Sequence, residues 1–454
     1  MFRAAGFCLA LTCFLLAPAA QAKPLAICTF QTDATPPLGS PLCDGAVVAA
    51  KEIVDPLSVR GIVLLGDEAP IVLCAVDWVG IGNGGYDAWR EALARAAGTS
   101  VDRVAVHTLH QHDAPGCDFE AEALLASRGL SGAMFHVTFA RHAIDRAAAA
   151  LRQSLSGPKN VTHLGIGIGR VEKVASNRRV MGPDGKVKYV RYSSSQIAEA
   201  IAAPEGVIDP EVRLLSFWNG DQPLAVLSYY ATHPQSYYGE GGVSFDFVGM
   251  ARAQRQAALP GVPQIHFNGA AGNVAAGKYN DGAPANRPIL AGRLAAGMSD
   301  AWNATLRTPI TGGDVGWRTR DVKLPLSPLL VDETPLVQLL DNAAARPSDR
   351  VRAATDLIWA RRVKAGHPIQ LSCLRLGTAY VLHMPGELFV EYQLAAAKMK
   401  PRATVCMAAY GDYGPGYIGT EIAYTQGGYE TSYVSRVAPD VEKVLLEAIG
   451  ELLK

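Results

Sequence analysis

An order of apolar strand, helix and second strand recurs three times along the chain. Crossovers of this kind favour parallel neighbouring strands joined by a right-handed connection. The apolar runs predict strands at 62–65, 71–76, 104–107, 224–230, 264–267, 369–376, 379–382 and 404–409. The predicted helices lie at 86–97, 247–257 and 388–399. We therefore expect an α/β fold with mixed β-sheets flanked by helices and a site at the carboxyl ends of the strands.

The chain carries no Gly/Ser-rich spacer, low-complexity segment or run of like charges that would mark a domain boundary. We therefore predict one large domain over residues 23–454, since α/β units of this size often remain undivided. Charged residues make up 19% of the chain, and the formal net charge is +0. A neutral chain lacks the basic footprint of a nucleic-acid-binding protein, so no such partner is expected. The sequence does not indicate an oligomeric state.

Residues 1–22 have the pattern of a cleaved secretory signal. Arg3 supplies the positive start, residues 4–16 form an apolar run that Pro18 ends, and residues 20–22 match a small-x-small cleavage site. The apolar run is too short to cross a bilayer, and no later stretch approaches the ~20 apolar residues that a spanning helix needs. We therefore expect a secreted or periplasmic protein, with an uncleaved anchor as the alternative.

Six of the eight cysteines lie in residues 23–454. An even number in an oxidising compartment permits disulfide bonds. Cys28 and Cys43 are close in sequence and flank a Pro/Gly loop, so they are the pair we predict. Cys74 and Cys373 lie inside apolar strands and are expected to be buried thiols. No C-x-x-C pair occurs, which argues against a thiolate zinc site.

Residues that can bind a metal follow several of the predicted strands. His110 follows the strand at 104–107, and His233 follows the strand at 224–230. Glu387 and Tyr417 lie in the loops beyond the last two strands. In open α/β sheets, ligands gather beyond the carboxyl ends of the strands. Two imidazoles, a carboxylate and a phenol on one rim would make a mononuclear metal centre.

Each of these residues also has a simpler interpretation. The segment 107–112 holds three histidines, and an extended backbone puts His110 and His112 on the same face, but a histidine-rich surface loop is the alternative. His233 taken alone is more often a satisfied core histidine than a ligand. Glu387 at the start of a predicted helix could serve only as a favourable charge at the helix N-terminus.

Two further segments favour a polar site. The Gly-rich stretch 269–273 could let backbone N–H groups approach a substrate oxygen. The segment 416–430 holds three tyrosines and two glutamates without apolar periodicity, which indicates the wall of a polar pocket rather than a structural element. Asp77 follows the strand at 71–76, and we interpret it as structural rather than catalytic.

Taken together, these segments resemble the neutral/alkaline ceramidase family of zinc-dependent amidases. The resemblance spans about residues 29–437. The family's H-x-H segment corresponds to residues 109–116, its Asn-Arg pair to Asn177-Arg178, and its second zinc histidine to His233. Its Pro-Gly-Glu motif corresponds to Pro385-Gly386-Glu387. Its C-terminal tyrosine pattern corresponds to Tyr417, Thr420, Tyr424, Gln426 and Tyr429-Glu430. The tyrosine pattern keeps its spacing without a gap and is the most specific part.

The resemblance implies one Zn²⁺ per chain and a set of catalytic residues. The implied zinc ligands are His110, His233, Glu387 and Tyr417. Zinc takes such N and O ligands and lowers the pKa of bound water towards ~7, which would generate the nucleophile for an amide carbonyl. The implied catalytic residues are His112, Arg178 and Tyr429, which can donate hydrogen bonds to the developing oxyanion.

The substrate-facing loops depart from the family pattern. Asn273 and Ala275 occupy the family's substrate-binding segment Gly-Asp-Val-Ser-Pro-Asn, and Ala275 replaces the serine that contacts the substrate hydroxyl. The residues after His233 are Pro-Gln-Ser instead of Gly-Thr-Ser, and Asp113 replaces the serine after the H-x-H motif. The chain is also expected to lack the family's C-terminal immunoglobulin-like domain.

The resulting prediction is an exported zinc-dependent amidohydrolase that cleaves an N-acyl amide bond, with a ceramide-like or related lipid amide as substrate. The first alternative is a non-catalytic or substrate-diverged binding protein on the same scaffold. The second is an enzyme of the barrel amidohydrolase type, which would need eight parallel β/α units. Only about three clean units are predicted here.

Overall fold

The structure is a computed structural model and describes residues 1–2 and 23–454. The predicted signal peptide therefore lies almost wholly outside the described residues. None of the helices in the described part of the chain combines the length and the apolar content that crossing a membrane requires.

Strands and helices alternate along the described chain. The strands are β1 Leu25–Asp33, β2 Glu52–Ile53, β3 Ser58–Leu65, β4 Ile71–Val76, β5 Gly80–Ile81, β6 Val104–Thr108, β7 Gly116–Cys117, β8 Lys159–Val161, β9 His163–Arg170, β10 Ser176–Asn177, β11 Arg179–Met181, β12 Val187–Val190, β13 Glu211–Asn219, β14 Gln222–Tyr230, β15 Gly242–Val243, β16 Gln264–Asn268, β17 Val274–Ala275, β18 Leu306–Pro309, β19 Val315–Val322, β20 Ile369–Leu376, β21 Ala379–His383, β22 Glu387–Leu388, β23 Thr404–Ala408 and β24 Tyr417–Ile418. The helices are α1 Asn83–Ala97, α2 Phe119–Ala126, α3 Val137–Ser154, α4 Ala198–Ala202, α5 Asp246–Ala258, α6 Asn286–Asn303, α7 Thr334–Asp341, α8 Pro347–Lys364, α9 Val390–Met399, α10 Glu421–Gln426 and α11 Val441–Leu452.

Three larger sheets contain the same local unit. Their strand orders are β6-β4-β3-β1-β8, β16-β14-β13-β9-β18 and β19-β20-β21-β23. In each sheet an antiparallel hairpin leads through one helix to a strand that lies parallel to the second hairpin strand. The three parallel pairs are β4–β6, β14–β16 and β21–β23. The prediction of a mixed α/β fold built on three crossovers is confirmed.

Side chains along a strand point alternately to its two faces, and the apolar interior is divided into two cores. In β4, Leu73 packs in one core, and its neighbours Val72 and Cys74 pack in the other. Successive strand residues point to opposite faces, so a strand that is buried on both faces is a continuous apolar run. The run Ile71–Val76 is buried at every position. This is why the strand was recognisable from its sequence.

The carboxyl ends of the three parallel crossover strands meet in the interior. The Thr108 N–H donates to the Tyr410 carbonyl at 2.9 Å, which joins the ends of β6 and β23. The Ala409 N–H donates to the Asn268 carbonyl, also at 2.9 Å, which joins β23 to β16. The loops that leave these strands therefore start from one region.

The structure corrects two local predictions near the last sheet. The predicted helix at 388–399 begins only at Val390, because Glu387 and Leu388 form the short strand β22. Glu387 is therefore not a helix-start charge. The segment 416–430, predicted to be without regular structure, contains β24 and α10. Its residues form these short elements through contacts with distant segments, which local periodicity does not reveal.

The predicted disulfide is absent. Cys28 packs inside β1 as a buried free thiol. Cys43 begins a short 3-10 turn, and its N–H donates to the Ala114 carbonyl at 2.9 Å. Cys28 thus lies in an apolar core and Cys43 in a half-buried turn. All cysteines of the described chain are free.

The interpretation of Asp77 as structural agrees with its contacts. Its carboxylate lies 2.6 and 2.7 Å from the two terminal nitrogens of Arg252 in α5, and it accepts two hydrogen bonds from Ser58. It is fully buried. Burial opposes ionisation, but Arg252 outweighs it and holds the pKa of Asp77 below its ordinary value.

The barrel alternative is excluded, since the described strands form mixed sheets rather than eight parallel strands.

Candidate metal centre

Three of the predicted ligands converge in the interior. One potential ligand atom each from His110, His233 and Glu387 lies within 4.8 Å of the others. Glu387 Oε2 is 3.3 Å from His110 Nε2 and 2.9 Å from His233 Nε2. All three residues are buried. Within the described residues, no other group of three or more His, Cys, Asp and Glu side chains converges as closely.

His110 is held by a strained turn at the end of β6. Its backbone has φ +67°, a left-handed conformation that non-glycine residues rarely adopt. Its N–H donates to the Trp78 carbonyl at 2.9 Å. The imidazole stacks on Tyr410, with ring centroids 4.6 Å apart. Because the backbone is left-handed here, the predicted extended geometry of the H-x-H segment does not hold.

His233 is fixed by the Gly-rich stretch that follows β16. Its N–H donates to the Val274 carbonyl at 2.8 Å, and its Nδ1 lies 2.6 Å from the Ala271 carbonyl. The Gly272 N–H in turn donates to the Leu388 carbonyl at 2.8 Å. The Gly-rich stretch thus orients His233 and packs against β22, so this N–H serves the fold rather than a substrate oxygen.

The backbone also sets the tautomer of both imidazoles. His110 Nδ1 lies 2.6 Å from the Val79 carbonyl, which matches the His233 contact with Ala271. A carbonyl only accepts, so each Nδ1 carries the proton and donates it. Each Nε2 is therefore the ring nitrogen that faces Glu387 and is left to bind a cation. A second partner of this kind is what metal-binding histidines almost always have.

Glu387 is aimed by β22 and by the glycine before it. Gly386 has φ +58°, and a Cβ there would lie 2.5 Å from the Gly416 carbonyl oxygen. Only glycine fits this Pro-Gly-Glu turn without strain or displacement. Tyr413 donates to Glu387 Oε1 at 2.6 Å, which leaves Oε2 facing the two imidazoles. The carboxylate thus has one supported oxygen and one oxygen free for a ligand.

Tyr417 joins the cluster from the strand paired with β22. Its hydroxyl lies 3.1 Å from His233 Nε2 and accepts a hydrogen bond from Arg178 Nη1 at 2.9 Å. The Tyr417 and His233 rings are nearly parallel, 11° apart. The fourth predicted ligand is therefore at the same centre as the other three.

Arg178 is a buried cation at the edge of this cluster. Its Nη1 is 3.3 Å from His233 Nε2, and its Nε is 3.2 Å from the Glu430 carboxylate. Glu430, fully buried, also lies 3.3 Å from Arg179 Nη1. Burial works against the charge, but Tyr417 and Glu430 outweigh it and raise the pKa of Arg178 above its ordinary value. Arg178 is therefore a fixed positive charge.

His112 lies on the outer side of the ligands and is half-buried. Its ring centroid is 5.0 Å from that of His110 and 4.7 Å from that of Tyr238. Gln235 Nε2 lies 3.0 Å from His112 Nε2. Burial, followed by the two neighbouring imidazoles, lowers the pKa of His112 well below its ordinary value.

Tyr429 packs on the Arg178 side of the centre. Its ring is 5.7 Å from the Tyr417 ring, and the Arg178 guanidinium carbon lies 5.5 Å from its centroid. Its edge also meets Tyr192 at 5.6 Å. Tyr429 therefore belongs to a shell of aromatic rings around the guanidinium.

The two predicted substrate-binding residues, Asn273 and Ala275, are engaged by other parts of the fold. The Asn273 side chain accepts from the Val390 N–H at 2.9 Å and donates to Glu391 at 2.8 Å, so both of its ends contact α9. It also lines a cavity of about 450 Å³ whose lining contains none of the four predicted ligands. Ala275 is fully buried in β17, opposite Ser176. Their role in substrate binding stays a prediction.

The charge pattern of the cluster favours a bound cation. Burial alone would raise the pKa of Glu387, but the two imidazoles outweigh it and hold that pKa well below its usual range. Burial lowers the pKa of His233. An ionised carboxylate beside the His233 imidazole, which resists protonation, is a buried negative charge without a full partner. Buried charges are normally paired or bound to metal.

The donor set fits zinc. His110 Nε2 and Glu387 Oε2 are buried atoms with no hydrogen-bond partner among the described residues. Ligand separations of roughly 3.3 Å follow from tetrahedral Zn–N and Zn–O bonds of ~2.0–2.1 Å. The distances of 2.9 to 3.3 Å between the carboxylate and imidazole atoms are close to that value. Two imidazoles, a carboxylate and a phenol also match the nitrogen and oxygen ligands that zinc accepts.

Three residues of the site were not predicted to have a role there. Tyr413 supports Glu387, Gln235 contacts His112, and Glu430 balances Arg178. Glu430 lies in the segment 416–430, Tyr413 lies three residues before that segment, and Gln235 lies two residues after His233. Proximity in sequence to a predicted ligand was the available signal.

The fold also occurs in ceramidases. A structure described as ceramidase complexed with C2 superposes with a TM-score of 0.69 at 15% sequence identity, over 95% of this chain and 75% of that chain. Neutral ceramidase from Pseudomonas aeruginosa superposes with a TM-score of 0.67 at 16% identity and with the same coverage. Protein-family models and curated proteins give no match to the sequence. At this identity the likeness establishes a ceramidase fold.

Proposed function

We propose that this protein is a zinc-dependent amidohydrolase that cleaves an N-acyl amide bond. The observation that carries the proposal is the convergence of His110 Nε2, His233 Nε2 and Glu387 Oε2, with the Tyr417 hydroxyl beside them. The ceramidase fold supports the same class of reaction, because the superposed structures are named for amide hydrolysis of a lipid.

Zinc held by His110, His233, Glu387 and Tyr417 would supply a Lewis acid and a water of lowered pKa. The carbonyls of Val79 and Ala271 hold the His110 and His233 imidazoles so that each Nε2 faces Glu387. Tyr413 keeps the carboxylate in its orientation. The ligand set is therefore braced before any cation binds, which reduces the cost of reorganisation.

Arg178 is suited to stabilise negative charge on the amide oxygen. Its Nη1 lies beside the Tyr417 hydroxyl and His233 Nε2, and Glu430 holds the guanidinium from the other side. A preorganised donor at a developing oxyanion is typically worth ~10²–10³ in rate. Among the described residues, the His112 ring nitrogens contact Gln235 and the His110 carbonyl, so the neutral imidazole can donate a hydrogen bond to the developing oxyanion. Tyr429 lies on the same side of the site as Arg178, because its ring packs against the Arg178 guanidinium.

The substrate class is a lipid amide or a related small-molecule amide. The superposed structures are ceramidases, and this chain departs from the family motif at Asn273 and Ala275. The signal pattern of residues 1–22 supports export to the periplasm or the medium. Residues 23–454 would then form the catalytic domain.

A non-catalytic binding protein on the same scaffold is the second candidate. Two observations favour it: both ends of the Asn273 amide are engaged by α9, and Ala275 is fully buried without a hydroxyl. A scaffold that has lost its substrate contacts can retain its metal and bind a ligand without turnover.

A panel of fluorogenic N-acyl amides with graded acyl lengths separates the two candidates. We expect turnover by protein that contains one zinc per chain, and loss of both zinc and turnover in His233→Ala. His367→Ala is the matched control, because His367 is exposed in the turn between α8 and β20, whereas His233 is buried. Turnover of any amide rejects the binding protein. A zinc-loaded protein that cleaves none of them rejects the amidohydrolase.

A further inference from the structure

A polar cleft opens beside the metal centre. Its volume is about 540 Å³. Two chain segments and one loop line it, at residues 193, 194 and 196, at 236–238 and at 281–283. The lining residues that carry the argument are Ser194, Gln196, Tyr237, Tyr238 and Asp281.

Both long walls of the cleft start at residues of the site. The residue before the first wall is Tyr192, whose ring lies 5.4 Å from the Arg178 guanidinium carbon. The residue before the second wall is Gln235, which contacts His112 at 3.0 Å. Tyr238 lines the cleft, and its ring packs 4.7 Å from that of His112. The cleft therefore borders His112, whose ring lies next to that of His110.

The cleft is preformed. Asn280 Nδ2 donates to the Ser193 carbonyl at 2.8 Å and to the Ser236 carbonyl at 2.6 Å, so one side chain ties the two walls together. The Arg287 guanidinium carbon lies 3.8 Å from the centroid of the Tyr237 ring, and Arg287 is itself buried. A ligand would thus find the walls already in place, which lowers the entropic cost of binding.

The lining chemistry suits a polyhydroxylated group. The hydroxyls of Ser194, Tyr237 and Tyr238 make no hydrogen bond to another described residue. The Gln196 amide nitrogen lies 3.5 Å from the Asp281 carbonyl, and Asp281 Oδ1 accepts from the Ala283 N–H and from Asn286, so Asp281 Oδ2 is the carboxylate oxygen left for a ligand. Tyr238 is 43% exposed and offers a ring face beside these groups. Free donors and acceptors around an aromatic face match a molecule with hydroxyls on an apolar ring.

An alkyl chain fits the cleft poorly. No Leu, Ile, Val, Met or Phe is among its lining residues. A chain laid there would leave little apolar surface to bury, while the polar lining would lose water without gaining partners. The cleft therefore disfavours the long hydrocarbon base that a ceramide carries on its amide nitrogen.

We propose that the group on the amide nitrogen of the substrate is a polyhydroxylated ring, as in an N-acyl amino sugar, and that it binds in this cleft. The inference rests on the proposed amidohydrolase function. The water that attacks the carbonyl forms a new C–O bond as the C–N bond breaks, and its proton goes to the departing nitrogen. The products are a carboxylic acid and a free amino sugar.

The test compares three amides that share an octanoyl chain: N-octanoyl glucosamine, N-octanoyl sphingosine and N-octanoyl aminocoumarin. We expect kcat/KM to be at least about tenfold higher for the sugar amide than for the sphingosine amide. Ser194→Ala and Gln196→Ala should lower the ratio of kcat/KM for the sugar amide over the coumarin amide by about 5–10-fold through KM, since each removes one hydrogen bond. Gln222→Ala, an exposed glutamine at the start of β14, is the matched control and should keep the ratio.

Binding of N-octanoyl glucosamine, measured by titration calorimetry, keeps this inference separate from the function. If no amide is cleaved but the sugar amide binds and both cleft variants weaken it, the cleft assignment stands and the hydrolase fails. If the sphingosine amide is cleaved as well as the sugar amide, the inference is wrong. Unchanged ratios and unchanged sugar binding in both cleft variants also overturn it.

Discussion

Glu387 and Tyr417 lie directly opposite each other in a parallel ladder of only two residue pairs. The Glu387 N–H donates to the Gly416 carbonyl at 2.8 Å, and the Phe389 N–H donates to the Ile418 carbonyl at 3.1 Å. Paired residues in neighbouring strands point to the same face. The backbone therefore presents a carboxylate and a phenol together, although thirty positions separate them in the chain.

Zinc should stabilise the protein against heat. The cluster exists only in the folded chain, so a ligand at 1,000 times its Kd adds about 4 kcal/mol to the free energy of unfolding. We expect the Tm to rise with zinc concentration in differential scanning calorimetry and to fall again with a chelator. His233→Ala should show no such rise. If the Tm of the unaltered protein does not change when zinc is added, the metal centre is contradicted.

Tyr413→Phe should weaken zinc binding without unfolding the protein. The change removes only the hydroxyl that donates to Glu387 Oε1 at 2.6 Å. Loss of such a supporting partner typically costs 10–100-fold in metal affinity. Competition with a chelator measures the Kd. Tyr229→Phe is the control, because the Tyr229 hydroxyl is buried without a partner among the described residues, and its loss should leave zinc affinity unchanged.

Arg178→Lys should separate catalysis from metal binding. Lysine keeps the charge beside Glu430 but not the fork that reaches Tyr417 and His233. We expect kcat on an N-acyl amide to fall about 10²–10³-fold, while atomic absorption still finds one zinc per chain. An unchanged kcat would remove Arg178 from the catalytic residues.

Asp77→Asn should destabilise the protein by about 3–5 kcal/mol, the usual cost of leaving one partner of a buried ion pair alone. The pKa of Asp77 is lower in the folded state than its ordinary value of 3.8. The ion pair therefore contributes fully above about pH 4, and its contribution disappears as the pH falls through the folded-state pKa. Urea unfolding should give a constant difference between the proteins from pH 7 to 5 and a smaller one at pH 3. A difference that does not change with pH would contradict this assignment.

Gly386→Ala should lower zinc affinity, whereas Gly377→Ala should not. Both glycines have a positive φ, +58° and +55°, so both substitutions carry a left-handed backbone cost of roughly 1–2 kcal/mol. Only at Gly386 does the added Cβ meet a backbone oxygen, at 2.5 Å, whereas nothing lies within 4 Å at Gly377. The extra displacement moves Glu387. Equal zinc affinities in the two variants would show that the turn does not position the carboxylate.

The sequence was most informative where the signal is local. All three parallel crossovers were predictable because each strand is a continuous apolar run followed by a helix, as in Ile71–Val76. The ligand positions followed from the same logic, since His110 and His233 come soon after such strands. The roles of the individual site residues stay predictions.

The remaining features depend on contacts between distant segments. The ladder of Glu387 with Tyr417 holds two residue pairs, too short to leave a periodic pattern. The carbonyls of Val79 and Ala271 that orient the imidazoles belong to residues of no special type. The Cys28–Cys43 prediction failed because spacing alone carried it, and Cys28 belongs to an apolar core.

The recurrence of one hairpin–helix–strand unit in three sheets has a consequence for how the molecule unfolds. His110 follows the last strand of the first unit, whereas His233 and Glu387 follow the second hairpin strands of the other two units, so a cation among them would join all three sheets. We expect the metal-free chain to lose these sheets one after another and the loaded chain to lose them together, so that the ion sets the sharpness of the transition as well as its midpoint.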